Sequence, residues 1–506
     1  MDRVVPEAEV GLVTPEQDKG LKGNAVGVLS SVVIGTASTA PAYSLATSLG
    51  LVAAVAAMGL KSPAIMIVAF IPMLLVAAAY YWLNKIDPDC GTTFMWTTRA
   101  LGPHTGWFTG YIMVVADIVV MASLAQITGT YFFLLFGAKG LAASVFWVTL
   151  VGVIFLVVMT VLTALGIELA AEIQWGLLGA ELVILVIFSV TALVKVYVNH
   201  PPGSITPQWS WFWPGGLTWS ALVGGVLIAL FIYWGWDTAV SVNEETKDKN
   251  RTPGLAAVIS TFLLVAIYVV VTTAAQAFKG PKFLIDNSGD ILSPLGTDVL
   301  GSTIDKLLIF AVLTSSAAST MTTILPGART QLSMATHGAL PKIFGKVNPR
   351  YQTPVWSTAI YGIISVVWYV GLTIFSQNVL ADSIATLGLM IAFYYGINGF
   401  ISPVLYRGRV FETVGKFLQL ALLPVIGGLI FLAILVKSFV DLYNPANSSS
   451  GSSWFGVGPP FFLAFGFIVL GIILEVIWMV VSKNGFFKRP IETVDHLVKD
   501  SLVIED

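Results

Sequence analysis

The sequence predicts an all-α membrane protein with twelve transmembrane helices, and three observations support this fold class. Of the 506 residues, 56% are hydrophobic and 11% are charged, whereas soluble domains have about 25% charged residues. Twelve largely uncharged stretches each reach the roughly 20 residues that an α-helix needs to cross a bilayer core. Lysine and arginine collect at one end of these stretches, as they do on the cytoplasmic side of membrane proteins.

Three of the predicted spans contain a carboxylate. Asp117 lies in the third span, Glu181 in the fifth and Asp237 in the sixth. A charge inside a bilayer is costly and usually functional, so these three side chains are candidate site residues. The spans cover residues 23–60, 62–84, 102–138, 140–167, 173–194, 217–242, 254–278, 307–328, 351–381, 383–406, 417–436 and 454–474.

The distribution of positive charge predicts the orientation of the chain. Of the 26 Lys and Arg residues, 19 lie on the side of the N-terminus and 7 on the other side. We therefore expect a multi-pass protein of the cell membrane with both termini in the cytoplasm. Residues 1–22 and 485–506 would be cytoplasmic tails. The lipid bilayer is the expected surrounding, and no basic tract indicates a nucleic-acid partner.

The first span is too long for one straight helix and contains a poor helix interior. It holds about 38 uncharged residues, almost twice what a crossing requires, and reads GTASTAP over residues 35–41. Proline removes a backbone donor, and lipid cannot satisfy the backbone groups that an interruption frees. We expect a broken helix that faces protein or a water-filled cavity. A proline-kinked helix with small residues for close packing is the alternative.

A second interruption is predicted in the sixth span, which reads FIYWGWD over residues 231–237. The two interruptions are five spans apart. Interrupted segments at corresponding positions of two halves are typical of inverted-repeat transporters, whose solute binds between the half-helices at the middle of the membrane. Residues 23–196 and 215–406 would be the two repeats, and residues 415–484 would add two helices. This symmetry is inferred from topology, since the halves share no evident sequence identity.

Three groups of motifs resemble the amino acid, polyamine and organocation (APC) superfamily of permeases across spans one to ten. They are GWD at 235–237 with EETKD at 244–248 and RTP at 251–253, ATHGALP at 335–341 with VNPR at 347–350 and TP at 353–354, and GTTF at 91–94 with RALGP at 99–103. The resemblance implies a LeuT-like fold of five-plus-five inverted repeats with two further helices. It also implies transport of an amino acid or related amine by alternating access, driven by H⁺ or Na⁺.

The resemblance places the solute between the two interruptions. Backbone N–H groups of the first interruption would bind the carboxylate of the solute, as helix N-termini bind anions. Phe231 would be an aromatic gate over the solute, and Thr323 of the eighth span would lie beside it. The further substrate-binding candidates of the two interruptions are Gly35, Thr36, Ala37, Ser38, Thr39, Tyr233, Trp234 and Gly235.

Each carboxylate has more than one interpretation. Asp117 has no typical counterpart in the family, and it is either a contact for an amine or a residue that lines the pore. Asp237 would attract an ammonium group or tie the broken helix to its neighbours. Glu181 stands where many proton-coupled members have a lysine. It could carry a proton, help to bind Na⁺ beside a hydroxyl of the eighth span, or form a structural tie to that span.

The eighth span is rich in hydroxyl groups. Counting back from Arg329 places Ser319 beside the coupling ion, while Ser315 fits a register that differs by one helical turn. Hydroxyls that bond to their own helix are the alternative. We expect Trp236, Asp237, Glu244, Glu245 and Arg329 to have structural or gating roles, with Arg99 as a further member. A solvated face is the alternative for the charged residues among them.

Other classes of protein fit the sequence less well. Four histidines and one cysteine, without metal-ligand spacing, leave little for an enzyme. A channel would have a continuous polar lining in place of two interruptions. We expect no cofactor or metal other than a coupling H⁺ or Na⁺. The sequence leaves open whether the solute is an amino acid or a carboxylate-free amine such as a polyamine, because Asp117 favours the amine and the family favours the amino acid.

Overall fold

The computed structural model describes residues 18–301, 304–375, 378–448, 451–482 and 485–492. Most of each predicted tail, residues 1–17 and 493–506, lies outside the described residues. Within the described part of the chain the regular structure is helical, without β-strands. The helices are α1 (Val28–Ser38), α2 (Pro41–Ala54), α3 (Ser62–Ile86), α4 (Thr93–Leu101), α5 (Pro103–Leu135), α6 (Lys139–Ala142), α7 (Val145–Ala164), α8 (Ile167–Asn199), α9 (Trp219–Tyr233), α10 (Thr238–Ser241), α11 (Thr252–Asp286), α12 (Leu292–Leu300), α13 (Lys306–Thr336), α14 (Val355–Phe375), α15 (Asn378–Leu405), α16 (Val414–Phe417), α17 (Leu423–Tyr443) and α18 (Pro459–Val481).

Twelve spans in the described residues are long and apolar enough to cross a membrane, which confirms the predicted number. Several are longer than predicted, because charged residues at their ends continue the helix. The fifth span runs over Ile167–Asn199, although its charge-free stretch covers only 173–194. The last prediction was wrong in position: residues 454–457 form a turn, and the helix begins at Pro459 and continues past Glu475 to Val481.

The first span is broken, as predicted, into α1 and α2. Ala40 between them has φ 47° and ψ 67°, a left-handed conformation that L-residues seldom adopt. Pro41 then begins α2, where its missing N–H group leaves no helical hydrogen bond unmade. A proline kink inside one continuous helix, the alternative reading, does not describe this backbone.

The sixth span is broken as well. Helix α9 ends at Tyr233, and the short helix α10 begins at Thr238. Gly235 lies between them with φ +118°, a value that favours glycine because it has no side chain. Both predicted interruptions are therefore present.

Burial separates an inner group of spans from an outer one. The percentages compared here are the share of buried residues in an apolar stretch of 18 residues from each span. They are 83% for the broken first span, 78% for the third span (α5) and 89% for the eighth span (α13), whereas the value for α18 is 11%. Inner helices surrounded by other helices can hold polar residues, and outer helices must present apolar side chains to lipid. The two interruptions therefore lie where polar groups are shielded from lipid.

Both described ends of the chain lie at one end of the helix bundle. The Lys19 ammonium is 2.8 Å from Asp89 Oδ2, and the Glu492 backbone N–H donates to the Arg99 carbonyl at 2.8 Å. Asp89 and Arg99 both belong to the connection from α3 to α5. We call this end, defined by these four residues, the terminal face.

Candidate solute-binding site

The two interruptions are in direct contact. The hydroxyl groups of Ser38 and Thr238 share a hydrogen bond of 2.8 Å. A Cβ atom added at Gly235 would lie 2.8 Å from the carbonyl carbon and oxygen of Ser38, and one added at Gly35 would lie 3.0 Å from the Trp236 carbonyl oxygen. The unwound backbones approach this closely because both positions lack a side chain.

The backbone N–H groups of the first interruption are bonded within the protein. Pro41 has no N–H group, so Ala42 and Tyr43 carry the first N–H groups of α2, which have no acceptor within the helix. The donors bond as follows: Thr39 to the Thr36 carbonyl (3.2 Å), Ala40 to the Ala37 carbonyl (3.1 Å), Ala42 to Glu181 Oε1 (2.6 Å), Tyr43 to Ser315 Oγ (3.2 Å) and Ser44 to the Ala40 carbonyl (2.8 Å). Of the residues that the family resemblance assigns to a solute carboxylate, Gly35 to Ser38 lie in α1 and Thr39 has the protein partner just given.

Glu181 joins three helices. Its Oε1 atom accepts from Ala42 N at the start of α2 and from Ser315 Oγ of α13, at 2.6 and 2.8 Å. Its Oε2 atom is buried and has no hydrogen-bond partner in the described residues. The side chain thus makes the contacts of a structural tie and also keeps one free acceptor.

The hydroxyl groups of α13 divide into two sets. Ser315 bonds to Glu181, and Ser319 Oγ, one turn further, donates to the Ser38 carbonyl at 2.8 Å. The serine that bonds to Glu181 is therefore Ser315, the candidate of the alternative register. Residues four apart share a helix face, so the sequence alone does not separate the two serines. Thr323 is buried and makes no side-chain hydrogen bond to a described residue. The second set, Thr314, Ser316, Thr320 and Thr322, donates to carbonyls of the same helix.

Asp237 of the second interruption is tied to α15. Its Oδ1 accepts from the Tyr395 hydroxyl at 2.7 Å, and the Tyr394 hydroxyl is 3.5 Å from Oδ2. The Tyr394 hydroxyl also accepts from the indole N–H of Trp234. The sequence analysis missed both tyrosines; a pair of adjacent tyrosines in the tenth span was the available signal.

Asp117 is the unpaired carboxylate of the site. Its side chain is buried on α5, with 6% of the residue exposed, and no described residue gives it a hydrogen bond or an ion pair. It is near enough to Asp237 for the two carboxylates to repel each other. The spans 28–54, 103–135 and 219–241, which hold the two interruptions and Asp117, contain no lysine or arginine.

The aromatic candidates have different surroundings. The Phe231 ring packs edge-on against Tyr43 of α2 with centroids 6.2 Å apart, so it spans the two interruptions. The Tyr233 hydroxyl donates instead to the Met66 carbonyl of α3 at 2.9 Å. Trp236 is fully buried and packs against Tyr395 at 4.9 Å. Of these three side chains, Phe231 is the one that contacts both broken spans.

Comparison with known proteins agrees with this architecture. A family model described as an amino acid permease matches residues 26–474. The chain belongs to the amino acid permease family. This permease is therefore a multi-pass membrane protein, in agreement with its twelve candidate spans.

Three relatives show the range of the family. Cationic amino acid transporter 4, vacuolar, of Arabidopsis thaliana is 22% identical over 344 residues, which is 64% of this chain and 54% of the relative. The low-affinity putrescine importer PlaP of Escherichia coli K12 is 23% identical over 373 residues, 73% of this chain and 79% of the importer. An uncharacterized transporter of Mycobacterium tuberculosis is 24% identical over 299 residues, 58% and 63% of the two chains. The match thus spans about half of the plant protein and most of the bacterial importer.

The terminal face of the permease holds paired charges. Glu245 and Arg329, both fully buried, form two hydrogen bonds of 2.8 and 2.9 Å. Glu244 instead contacts the Lys19 ammonium at 2.5 Å. Arg99, the further expected member, lies in the last turn of α4 on the same face. It pairs there with Asp87 and Glu492, at 2.7 and 2.5 Å.

Lys19 is the residue of this face that the sequence analysis missed. Its ammonium contacts both Asp89 and Glu244, and these two carboxylates lie with the Cys90 thiol in a group whose ligand atoms are within 4.8 Å of one another. Burial opposes the charge of Asp89, but Lys19 outweighs burial and lowers the pKa of Asp89 below its ordinary value. The ammonium thus lies between the two carboxylates of this group.

His337 lies next to this cluster, just beyond the end of α13. Its Nε2 is 3.8 Å from Asp89 Oδ2, and its Nδ1 bonds to the Ser333 carbonyl at 2.9 Å. Burial lowers the pKa of His337 to about 4, although Asp89 acts in the opposite direction. The imidazole is therefore neutral at physiological pH.

Proposed function

We propose that this permease is a secondary active transporter that moves an amino acid or a related small amine by alternating access, in symport with H⁺ or Na⁺. The observation that carries the proposal is the contact between the two interruptions, where Ser38 meets Thr238 and the Ser38 carbonyl approaches Gly235. Half-helix ends facing each other inside a bundle provide polar backbone for a solute at a depth where lipid provides none.

In this proposal the solute lies between the two broken spans. Residues 35–39 and 234–235 line it, Asp117 and Thr323 contact it from α5 and α13, and Phe231 covers it. The edge-on contact of Phe231 with Tyr43 supports the last role, since one ring reaches both broken helices.

Glu181 and its hydroxyl neighbours are the proposed coupling elements. The free Oε2 atom is an acceptor for a proton, and a carboxylate beside a serine hydroxyl also provides the oxygen ligands that Na⁺ requires. Ser319 extends the same polar column to the Ser38 carbonyl. Either ion would thereby contact the first interruption directly.

We propose that the terminal face is cytoplasmic and that the permease lies in the cell membrane. The excess of Lys and Arg on that side supports this orientation. The Glu245–Arg329 and Lys19–Glu244 pairs connect the segment after α10, α13 and the N-terminal segment across this face. These contacts close the face, so alternating access requires that they separate.

Uptake into proteoliposomes tests the proposal. Labelled amino acids and amines are offered under an inward Na⁺ gradient and then under an inward H⁺ gradient. Proteoliposomes without an ion gradient are the reference. We expect accumulation above the external concentration under one of the two gradients. A channel would be indicated by a flux that only equilibrates the solute, does not saturate with solute concentration and is independent of both gradients. That result would contradict the proposal.

The Glu181→Gln variant tests the coupling role. The amide keeps an oxygen for Ala42 N but can neither take up a proton nor carry a charge for Na⁺, so we expect loss of gradient-driven accumulation with retained solute exchange. Glu475→Gln is the matched control, because Glu475 is also a carboxylate in a span but bonds to His104 Nδ1 at 2.8 Å, in the outer helix α18. Undiminished accumulation by Glu181→Gln would exclude this residue from coupling.

A further inference from the structure

We propose that the solute of this permease is an amine without a carboxylate group, an inference that rests on the proposed function. Two features of the site carry it. The Glu181 carboxylate and the Ser315 hydroxyl occupy the first two backbone donors of α2, which would otherwise attract a solute carboxylate, and the buried Asp117 carboxylate has no partner in the described residues.

The first step concerns the anion position at the start of α2. A helix N-terminus attracts one anionic group because its first N–H groups lack intrahelical partners. In this chain the first two donors, of Ala42 and Tyr43, bond to Glu181 Oε1 and to Ser315 Oγ. The protein therefore supplies its own carboxylate at the position that would otherwise bind the carboxylate of an amino acid.

The second step concerns the remaining donors of the first interruption. The N–H groups of Thr39 and Ala40 bond to carbonyls three residues earlier, and that of Ser44 bonds to the Ala40 carbonyl. A solute carboxylate would have to displace a protein acceptor and lie close to the Glu181 carboxyl group. Both requirements oppose its binding, because removing water from an anion without supplying other hydrogen-bond donors costs free energy.

The third step concerns charge at the other side of the site. Asp117 and Asp237 are two interacting carboxylates, and Asp237 is already bonded to Tyr395 whereas Asp117 has no partner in the described residues. The broken spans and α5 contribute no lysine or arginine that could neutralise them. A cationic solute supplies the missing positive charge, and an unpaired buried carboxylate is otherwise strongly unfavourable.

The surrounding rings suit an ammonium group as well. Trp236 packs against Tyr80 at 5.1 Å and against Tyr395 at 4.9 Å, and Trp234 bonds to Tyr394. Aromatic faces attract ammonium groups through the ring quadrupole. Carboxylates and ring faces together make the site complementary to amines.

Matched pairs of compounds that differ only by the carboxylate test the inference. Putrescine is paired with ornithine, and propylamine with 2-aminobutyrate. Binding to the purified full-length permease is followed by tryptophan fluorescence, and uptake is followed in proteoliposomes. We expect the amine of each pair to bind with an affinity at least about tenfold higher, equivalent to about 1.4 kcal/mol.

The two readouts separate the inference from the proposed function. Amines that bind but are not transported would refute the transport mechanism and support the inference. Amino acids that bind as tightly as their amine partners would overturn the inference and leave the transport mechanism intact. Binding by none of the four compounds would also overturn it.

Two variants assign the effect to the named carboxylates. Asp117→Asn keeps the size of the side chain and removes its charge, so we expect amine affinity to fall about tenfold or more, as for loss of a hydrogen bond to a charged group. Glu181→Gln removes the internal anion, so we expect the difference within each pair to narrow. The control Glu475→Gln should leave both quantities unchanged. Unaltered amine affinity in Asp117→Asn would contradict the proposed amine contact.

Discussion

The candidate solute-binding site between the two interruptions, here called the central site, and the terminal face both bury charged side chains. They differ in whether these charges have partners. At the terminal face each buried charge has a partner, as in the two-point contact of Glu245 with Arg329. At the central site neither Asp117 nor Glu181 has an oppositely charged partner in the described residues, and one oxygen of Glu181 accepts no hydrogen bond there. Completed pairs stabilise one closed arrangement, whereas an unpaired carboxylate leaves a place for a cation from outside. The comparison thus distinguishes a closing contact from a binding site.

The largest effect is expected from Arg329→Ala, because it leaves the buried Glu245 charge without a partner. Breaking a buried pair costs about 3–5 kcal/mol, and we expect a clear fall in the thermal unfolding midpoint of the purified permease. Lys282→Ala is the control, since its pair with Asp286 is exposed and such pairs contribute about 0–1 kcal/mol. Equal midpoints for the two variants would remove the distinction between the two regions.

Gly235→Ala tests the contact of the two interruptions. The added Cβ would require φ +118° from an L-residue and would lie 2.8 Å from the Ser38 carbonyl, so the half-helices must move apart. We expect transport to fall about tenfold or more, since strain of this kind costs about 1–3 kcal/mol. Gly176→Ala is the control, because nothing lies within 4 Å of its added Cβ. Full transport by Gly235→Ala would mean that the close approach is dispensable.

A smaller effect is expected from pH at the terminal face. The pKa of His337 is lowered to about 4 by burial, so between its ordinary value of about 6.5 and 4 the unfolded chain binds more protons than the folded one. Stability must then rise with pH in this window, and acidification from pH 7 to 5 should cost about 1–2 kcal/mol. His337→Asn should remove most of this acid sensitivity, as measured by melting midpoints at the two pH values. An unchanged pH dependence would show that His337 is already solvated.

The sequence predicted the helices and the interruptions well because their signals are local. A charge-free stretch indicates a span, and Pro41 and Gly235 mark the two interruptions, although residues 35–38 and 231–233 themselves remain helical. The partners of the candidate residues depend on packing between distant segments, and here the predictions were less complete. Lys19, Tyr394 and Tyr395 were missed because no local pattern shows which carboxylate a distant side chain will meet.

The register of α13 illustrates the same limit. The sequence showed that hydroxyl groups follow one face, and both Ser315 and Ser319 were candidates. Which serine meets Glu181 depends on how far α13 is shifted along α8, and one helical turn of about 5.4 Å separates the two answers. The partners of Arg99 could not be predicted for a related reason, since one of them, Glu492, is far away along the chain.

The central claim is that the meeting point of the two interruptions lies on the path of the solute. The chain has a single cysteine, Cys90, so Cys90→Ser gives a background in which Ser38→Cys is the one thiol. We expect this thiol to react with a small cationic methanethiosulfonate and to be protected by the solute that the uptake panel identifies. Thr163→Cys, fully buried in α7, should not react. A Ser38→Cys thiol that does not react, or that reacts equally fast with and without solute, would contradict the account.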